Sequence, residues 1–490
     1  MGELDADLSS DLGSDLGSDR DSDLDLDPGS APDADLAALV QRLFDARDDR
    51  LPYLTHQQDT VTRGELRERV TKQAAVFAGY GIGPGSTVGL RTPPSFTQIE
   101  VLLALWRLGA QVLLFDFRLK PPEVAALCAS CRPQFMVSAG SNVRATFGFR
   151  SEYEVVTERR RTGLAATTGH RLVQFSSGST GRPKVIGRTA RSLATEVDRF
   201  AGVPGMPVDG DRLLLLSSTA HSFGLIGGLL YSLAAGVSVV FAPRVSARDI
   251  LRTSLEHRIT ALFGVPAHYE LLAAAIDPPA LPDLRIAVSG GEIMPPRTAA
   301  RFAELYGVRV GEAYGTTETG IVAIDVGGTL RPSVGRAAPG VSVRVVRGEL
   351  DVALTESPYL FDSGGTQYAD GWLHTRDRAT LDATGAVLVQ GRTDSLVVVG
   401  GLKVDLTEVE NVLREHPAVD QAVLVHEDVT EAYVAVRADT ERPSTEELSR
   451  WCRERLADYK VPRVIRLLDA LPRTSNGKLV RQAETLRSAG

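Results

Sequence analysis

Apolar positions along this chain follow two rhythms. Unbroken apolar runs such as RLLLLSS (212–218), ITALFGVP (259–266) and LRIAVSG (284–290) read as strands buried on both faces. Helical spacing marks the stretches between them; PPRTAARFAELYG (295–307) opens on proline and closes on Gly307. Such strands and helices alternate from Leu36 to about Arg392, which predicts a mostly parallel sheet covered by helices on both faces. Sheets of that kind carry their ligand sites at the carboxyl ends of the strands. One segment, FGLIGGLLYSLAAGVSVVFA (223–242), is uncharged over a length able to cross a bilayer. Its four glycines, two serines and final β-branched run predict instead a buried helix, a turn at Gly236 and a core strand.

The rhythm changes after Gly391-Arg392-Thr393-Asp394. A hairpin-like SLVVVGGLKVD precedes the helix LTEVENVLREHP, the strands QAVLVHED and EAYVAVRAD, and the helix STEELSRWCRERLADY. The expectation is an α/β chain with a large N-terminal domain (36–392) of mostly parallel sheets covered by helices. A small, mobile α+β C-terminal domain (393–490) follows.

Residues 1–35 stand apart. They repeat a Ser-Asp-Leu unit, contain no aromatic residue and hold twelve acids against one base, Arg20. Such a segment cannot bury enough apolar area to offset its ordering entropy, so a disordered acidic tail is expected. Asp19, Asp21 and Asp23 imitate the start of a calcium loop, but Leu24 stands where that loop needs glycine and Ser30 where it needs glutamate. Removing the tail's −11 from the whole-chain −8 leaves the rest at +3, with no footprint for nucleic acid. Only Cys128, Cys131 and Cys452 are present, too few for a disulfide framework, and MGELDADLSS lacks the features of a secretion signal. A cytoplasmic protein is the expectation. Cys128-x-x-Cys131 has half-zinc-site spacing without a second pair and reads as two small residues on a packed helix.

Candidate chemistry begins at Phe175-Ser-Ser-Gly-Ser-Thr-Gly-Arg-Pro-Lys184. Hydroxyls and glycines in a tight run let backbone N–H and side-chain O–H donors surround phosphate oxygens, and Lys184 adds a cation. The run is not a Walker loop, and by itself it suits a mobile surface loop as well. Lysine usage sharpens the reading, because the chain has six lysines against 48 arginines. Where arginine dominates so strongly, Lys184 and Lys478 beside Gly- and Pro-rich turns hint that a compact ammonium is needed.

SSGSTGRPK (176–184), GEAYGTTETG (311–320), GWLHTRD (371–377), GRTDSLVVVGGLKVDLTEVE (391–410) and LPRTSNGK (471–478) occur in this order. Together they resemble the adenylate-forming superfamily of acyl-CoA synthetases, peptide-synthetase adenylation domains and luciferases, from about Leu51 to Leu486. The resemblance implies ATP, Mg²⁺ and either coenzyme A or a carrier-protein phosphopantetheine. It implies that Ser176, Ser177, Gly178, Ser179, Thr180 and Lys184 hold the β- and γ-phosphates. Gly290, Gly291, Glu292 and Tyr314, with Gly315 and Thr316, border the nucleotide and the acid. Thr317 contacts the α-phosphate, Glu318 places Mg²⁺, Asp377 takes the ribose hydroxyls and Arg392 supports them. Lys478 enters from the small domain, which pivots near Asp394. Gly400 and Gly401 would border a pantetheine channel or simply form the hairpin turn.

For the acid itself, the resemblance points to His221, Ser222, Phe223 and Gly264. Val185-Ile186-Gly187-Arg188-Thr189 is similar to the run found in aryl-acid activating enzymes. Amino-acid activators place aspartate at the position of Ser222, so an α-amino acid is disfavoured. Phe223, Tyr269 and Tyr314 would suit an aromatic ring, or core packing. An aryl or arylacrylic acid is the expected substrate, ahead of an aliphatic one, with CoA or a carrier protein as acceptor and neither nucleic acid nor membrane as partner. Two departures stand out: Arg376 replaces the usual glycine in Thr-Gly-Asp, and Gly400 replaces a common lysine or arginine. A catalytically silent binding protein on the same scaffold would be expected to have lost Lys478 or Glu318, and both are here.

Overall fold

The computed structural model describes residues 32–44, 48–117, 119, 121–140, 149–176, 184–361, 365–392, 395–399, 402–456, 458–474 and 477–489. Its backbone is a nine-stranded sheet in which six strands run parallel. In spatial order these are Pro52–His56, Ser238–Phe241, Arg212–Leu215, Ala261–Gly264, Ile286–Gly290 and Val310–Thr316. Antiparallel strands close both edges: Asp59–Thr62 on one side, Gly320–Asp325 and Arg336–Ala337 on the other. A six-stranded sheet is built from Thr87–Arg91, Gln111–Leu114, Phe135–Ala139 and His170–Ser176 in parallel, with antiparallel edges Val155–Arg159 and Lys184–Thr189. The unbroken apolar runs in the sequence are therefore central parallel strands, buried on both faces.

Helices fill the space between the two sheets. One core cluster joins Leu36 and Leu43 of the first helix to Trp106, Phe200, Leu229, Val88 and Phe263, so both sheets share it. That first helix, Pro32–Phe44, starts inside the segment assigned to the acidic tail, where a proline preorganises the opening turn. Residues 1–31 lie outside the described residues. On the far side of the larger sheet, helices Ala247–Glu256, Pro266–Ala273 and Pro296–Tyr306 pack through Ile250, Tyr269 and Phe302. The far side of the smaller sheet is covered by Pro121–Cys131, whose Cys128 and Cys131 are buried against Phe115 and Met136. Burial pushes the Cys131 thiol up to about 12, as a packing role requires.

The uncharged segment 223–242 resolves as expected. Phe223–Leu230 is a π-helical stretch, continued by the helix Tyr231–Ala235 and capped by Gly236 at φ +77° before the strand Ser238–Phe241. Its first glycine is compulsory, since a methyl group on Gly224 would lie 2.2 Å from the Ser218 carbonyl oxygen. No helix among the described residues is long and apolar enough to cross a membrane. Gly224→Ala should lower stability by about 1–3 kcal/mol, because a backbone oxygen cannot move aside as a side chain can. Urea denaturation of the variant checks this, and an unchanged midpoint would contradict the tight contact.

Two smaller parts complete the chain. An antiparallel sheet of Val343–Val346, Glu349–Ala353, Tyr368–Ala369, Trp372–Leu381 and Val387–Arg392 follows the larger sheet. Beyond it come the hairpin Leu396–Val399/Leu402–Asp405, the helix Leu406–Arg414, the strands Val419–His426, Thr430–Val436 and Val464–Leu468, and the helix Thr445–Arg453. Val404, Val409, Leu424, Val434 and Cys452 give this last part its own core. The large sheet-rich part and the small α+β part are thus both present. The expected hinge, Asp394, lies outside the described residues.

Candidate active site

Strand Val310–Thr316 turns back through Thr317 and Glu318 into Gly320–Asp325, at the carboxyl edge of the large sheet. Thr316 and Thr319 tie the turn: each backbone N–H donates to the other's hydroxyl at 3.2 Å. Beneath it, Glu196 accepts from the Ile321 N–H at 3.0 Å and pairs with Arg188 at 2.7 Å, both side chains almost fully buried. Arg188, part of the run that resembles aryl-acid activators, therefore braces the strand behind Lys184 against this turn. A buried pair of this kind holds geometry more surely than it adds stability.

Lys184, Gln367, Tyr359 and Glu318 form a connected row. Lys184 Nζ donates to Gln367 Oε1 and lies 5.5 Å from the Tyr359 ring centre. The Tyr359 hydroxyl is 3.2 Å from Gln367 Oε1 and 3.2 Å from Glu318 Oε1, so its single proton is shared between two acceptors. Burial, with Glu318 beside it, pushes the Tyr359 hydroxyl above its ordinary range and keeps it a donor. Next to this row, the Tyr314 hydroxyl donates to Asp377 Oδ2 at 2.5 Å and Arg392 Nη1 donates to Asp377 Oδ1 at 3.3 Å. Asp377 is buried, and burial together with its charge holds the Tyr314 hydroxyl well above the usual tyrosine range.

Arg376, at the position where glycine is usual, has φ +61°. That left-handed backbone accounts for the glycine preference, since a Cβ there is strained. Here the Arg376 N–H donates to Glu349 Oε1 at 2.8 Å, which anchors the unusual residue. Glu349 stands with Asp351 and His374 in a group whose ligand atoms lie within 4.8 Å of one another. Asp351 accepts from Arg344 at 3.0 Å and is 2.7 Å from His374 Nδ1, so this is an ion-pair network stiffening the strand that bears Asp377.

The residues expected beside the acid begin in the turn Ser217–Ser222. The Ser222 hydroxyl donates to Gln174 Oε1 at 2.8 Å, and Gln174 Nε2 donates to the Ala220 carbonyl at 2.8 Å. Gln174 lies on the strand His170–Ser176, so one amide ties that strand to the turn. The His221 carbonyl accepts the Leu225 N–H at 2.8 Å and opens the π-helical stretch. Phe223 stacks on Phe263 at 5.7 Å between ring centres, and a methyl group on Gly290 would lie 2.9 Å from the Phe223 ring. The absence of a side chain at Gly290 thus lets Phe223 form a flat wall.

Gly264 and Tyr269 are both buried. Gly264 pairs with Ser289, so it faces away from Gly290, and a methyl group there would strike His268 at 2.9 Å. Tyr269 is fully buried and donates to the Leu262 and Val288 carbonyls, stacked edge-on against Phe302. It is core, one of the two roles its sequence allowed, and Phe223 is backed by the equally buried Phe263. His268 caps the same helix by accepting the Val265 N–H at 3.1 Å; burial and nearby Arg473 push it down to about 4, so it is neutral.

The small part reaches the end of the strand Ile286–Gly290. Lys478 Cε would lie 3.8 Å from a methyl group on Gly291, itself at φ +91°. The next residue, Leu479, donates its N–H to Glu292 Oε1 at 3.3 Å, so Glu292 is engaged by the loop that carries the lysine. Ser177, Gly178, Ser179, Thr180, Asp394, Gly400 and Gly401 lie outside the described residues, and Ser176 ends its strand. Tyr359, Gln367, Gln174 and Glu349 were not foreseen; all sit outside the recurrent motifs, and they act through hydrogen bonds that spacing cannot reveal.

Residues 44–354 match the model of the AMP-binding enzyme family, and residues 408–478 match that of the AMP-binding enzyme C-terminal domain. The chain belongs to the AMP-binding enzyme family. It is similar to Novobiocin biosynthesis protein H of Streptomyces niveus, 30% identical over 498 residues covering 91% of this chain and 81% of that protein. It is also similar to Feruloyl-CoA synthase of an Amycolatopsis species, 28% identical over 469 residues, covering 87% of this chain and 94% of that one. A benzoate CoA ligase from Burkholderia xenovorans shares the fold with a TM-score of 0.77 at 23% identity, over 92% of this chain and 99% of its own. The superfamily read from five ordered motifs and the two-part α/β architecture therefore both stand.

Proposed function

We propose that this chain is an AMP-forming acid–thiol ligase that activates an aromatic carboxylic acid with ATP and passes the acyl group to CoA. The observation that carries the reading is Lys478 lodged beside Gly291, just past Gly290, whose strand partner Ala313 precedes the Tyr314 that donates to Asp377. A carboxylate oxygen attacks the α-phosphorus of ATP, and pyrophosphate leaves with its bonding pair. The Lys478 ammonium offsets the repulsion between the two anions and the charge that grows on the α-phosphoryl oxygens. Asp377, oriented by Tyr314 and Arg392, accepts the ribose hydroxyls, and the Phe223 wall flanks the acid's ring.

Glu318 offers one half-buried carboxylate beside the Tyr359 hydroxyl, oxygen donors that suit Mg²⁺ shared with substrate phosphates. That ion supplies neutralisation of phosphate charge when bound. In the second step the CoA sulfur attacks the acyl carbon and AMP leaves. Gly400 and Gly401 are the proposed border of the thiol path, with a pivot near Asp394 that withdraws Lys478. CoA is favoured as acceptor because the relatives named as CoA synthases match this chain over nearly their full length; delivery to a carrier protein is the second reading.

A panel of carboxylic acids in ATP–pyrophosphate exchange, followed by mass analysis with and without CoA, tests this. Exchange should be strongest with planar aromatic acids, and an acyl-CoA should form only when CoA is added. Exchange confined to α-amino acids, or an adenylate that CoA never consumes, would contradict the proposal.

A further inference from the structure

Glu270 lies on the helix Pro266–Ala273 of the large part, and its side chain faces the small one. Its Oε2 accepts from Arg473 Nη2 at 2.9 Å and from Gln421 Nε2 at 3.2 Å, both donors coming from beyond residue 393. Arg473 uses its other terminal nitrogen on the molecule's most consequential turn. Nη1 donates to the Gly477 carbonyl at 2.6 Å, one residue before Lys478. That turn is otherwise closed on itself: Thr474 N–H donates to the Lys478 carbonyl at 2.6 Å and Gly477 N–H to the Thr474 carbonyl at 2.9 Å. Arg473 and Leu479 pair across its base.

The guanidinium is thus a two-ended strut between Glu270 and the peptide preceding the lysine. A planar fork suits this task, because each end keeps a fixed direction relative to the other. Glu292 holds the opposite flank through Leu479. The electrostatics point the same way. Burial raises the Glu270 carboxyl, Arg473 and Arg414 oppose that, and Asp420 and Glu292 add to it. A half-buried carboxylate surrounded in this way is favoured as an anion chiefly while Arg473 is docked.

We infer that Glu270 is a positioning residue for adenylation, holding Lys478 in register through Arg473 and releasing it when the small part turns for the second step. The inference rests on the proposed role of Lys478. In Glu270→Ala, acid-dependent pyrophosphate exchange should fall about tenfold to thirtyfold, the usual scale for losing a charged hydrogen-bonded partner. Acyl transfer to CoA from supplied acyl-adenylate should be unchanged or faster. Arg473→Lys, which keeps the charge but cannot span both acceptors, should show the same one-sided loss.

Spin labels on Ile276→Cys and Asp469→Cys, both at exposed positions, provide a readout that needs no acid; the three native cysteines are buried. Their distance distribution should be narrow in the otherwise unaltered protein and broadened in Glu270→Ala. Equal slowing of both half-reactions, or no slowing with an unchanged distribution, would overturn the inference. If Lys478→Ala also leaves exchange intact, the failure belongs to the proposed function instead; if only Lys478→Ala slows it, the failure is confined to Glu270.

Discussion

Lys478→Ala is expected to slow adenylation by about 10²–10³-fold, the scale seen when a preorganised donor to a developing oxyanion is removed. The physical case is simple. Two anions must meet at the α-phosphorus, and this ammonium is held beside Gly291 by a turn braced from both flanks. Its loss removes charge where charge grows in the transition state, so kcat should fall while the KM for ATP moves little. Pyrophosphate exchange measures the first half-reaction directly. Transfer from supplied acyl-adenylate to CoA should keep its rate, because the proposed pivot withdraws the lysine for that step. A variant retaining more than half the exchange rate would remove Lys478 from the mechanism.

Asp377→Ala should lower kcat/KM for ATP by about 10²-fold, mainly through KM, since a carboxylate accepting two ribose hydroxyls acts in ground and transition states alike. The substitution also takes one partner from each of two neighbours. The buried Tyr314 hydroxyl loses its 2.5 Å acceptor and Arg392 loses its pair. Asp377→Asn retains an acceptor oxygen for Tyr314 and should be milder. Steady-state ATP titrations of both variants decide the matter; an unchanged KM in the alanine variant would place the ribose elsewhere.

Much of this was legible before any coordinates. The parallel strands announce themselves as apolar runs because burial on both faces leaves no place for polar alternation. The helix 296–306, the turn at Gly236 and the packed cysteines follow from end signals and neighbours. Candidate site residues in recurrent motifs could be named because their chemistry demands particular side chains at close spacing. The bracing residues were not. Glu270 meets Arg473 across 203 positions, Lys184 meets Gln367 across 183, and Ser222 meets Gln174 across 48; nothing local to either partner encodes such contacts. Tyr269 stayed open between two roles for a related reason: an aromatic residue looks alike in sequence whether it lines a site or fills a core. Arg376 was visible as a departure, but only its positive φ explains why glycine is the common choice there.

The central claim is that a carboxylate oxygen attacks the α-phosphorus with Lys478 beside it. Labelling the carboxylate of an accepted aromatic acid with heavy oxygen, then recovering AMP after turnover with CoA, follows that bond atom by atom. The account predicts one labelled oxygen transferred to AMP and the other retained in the thioester. AMP free of label, or ADP in its place, would contradict it.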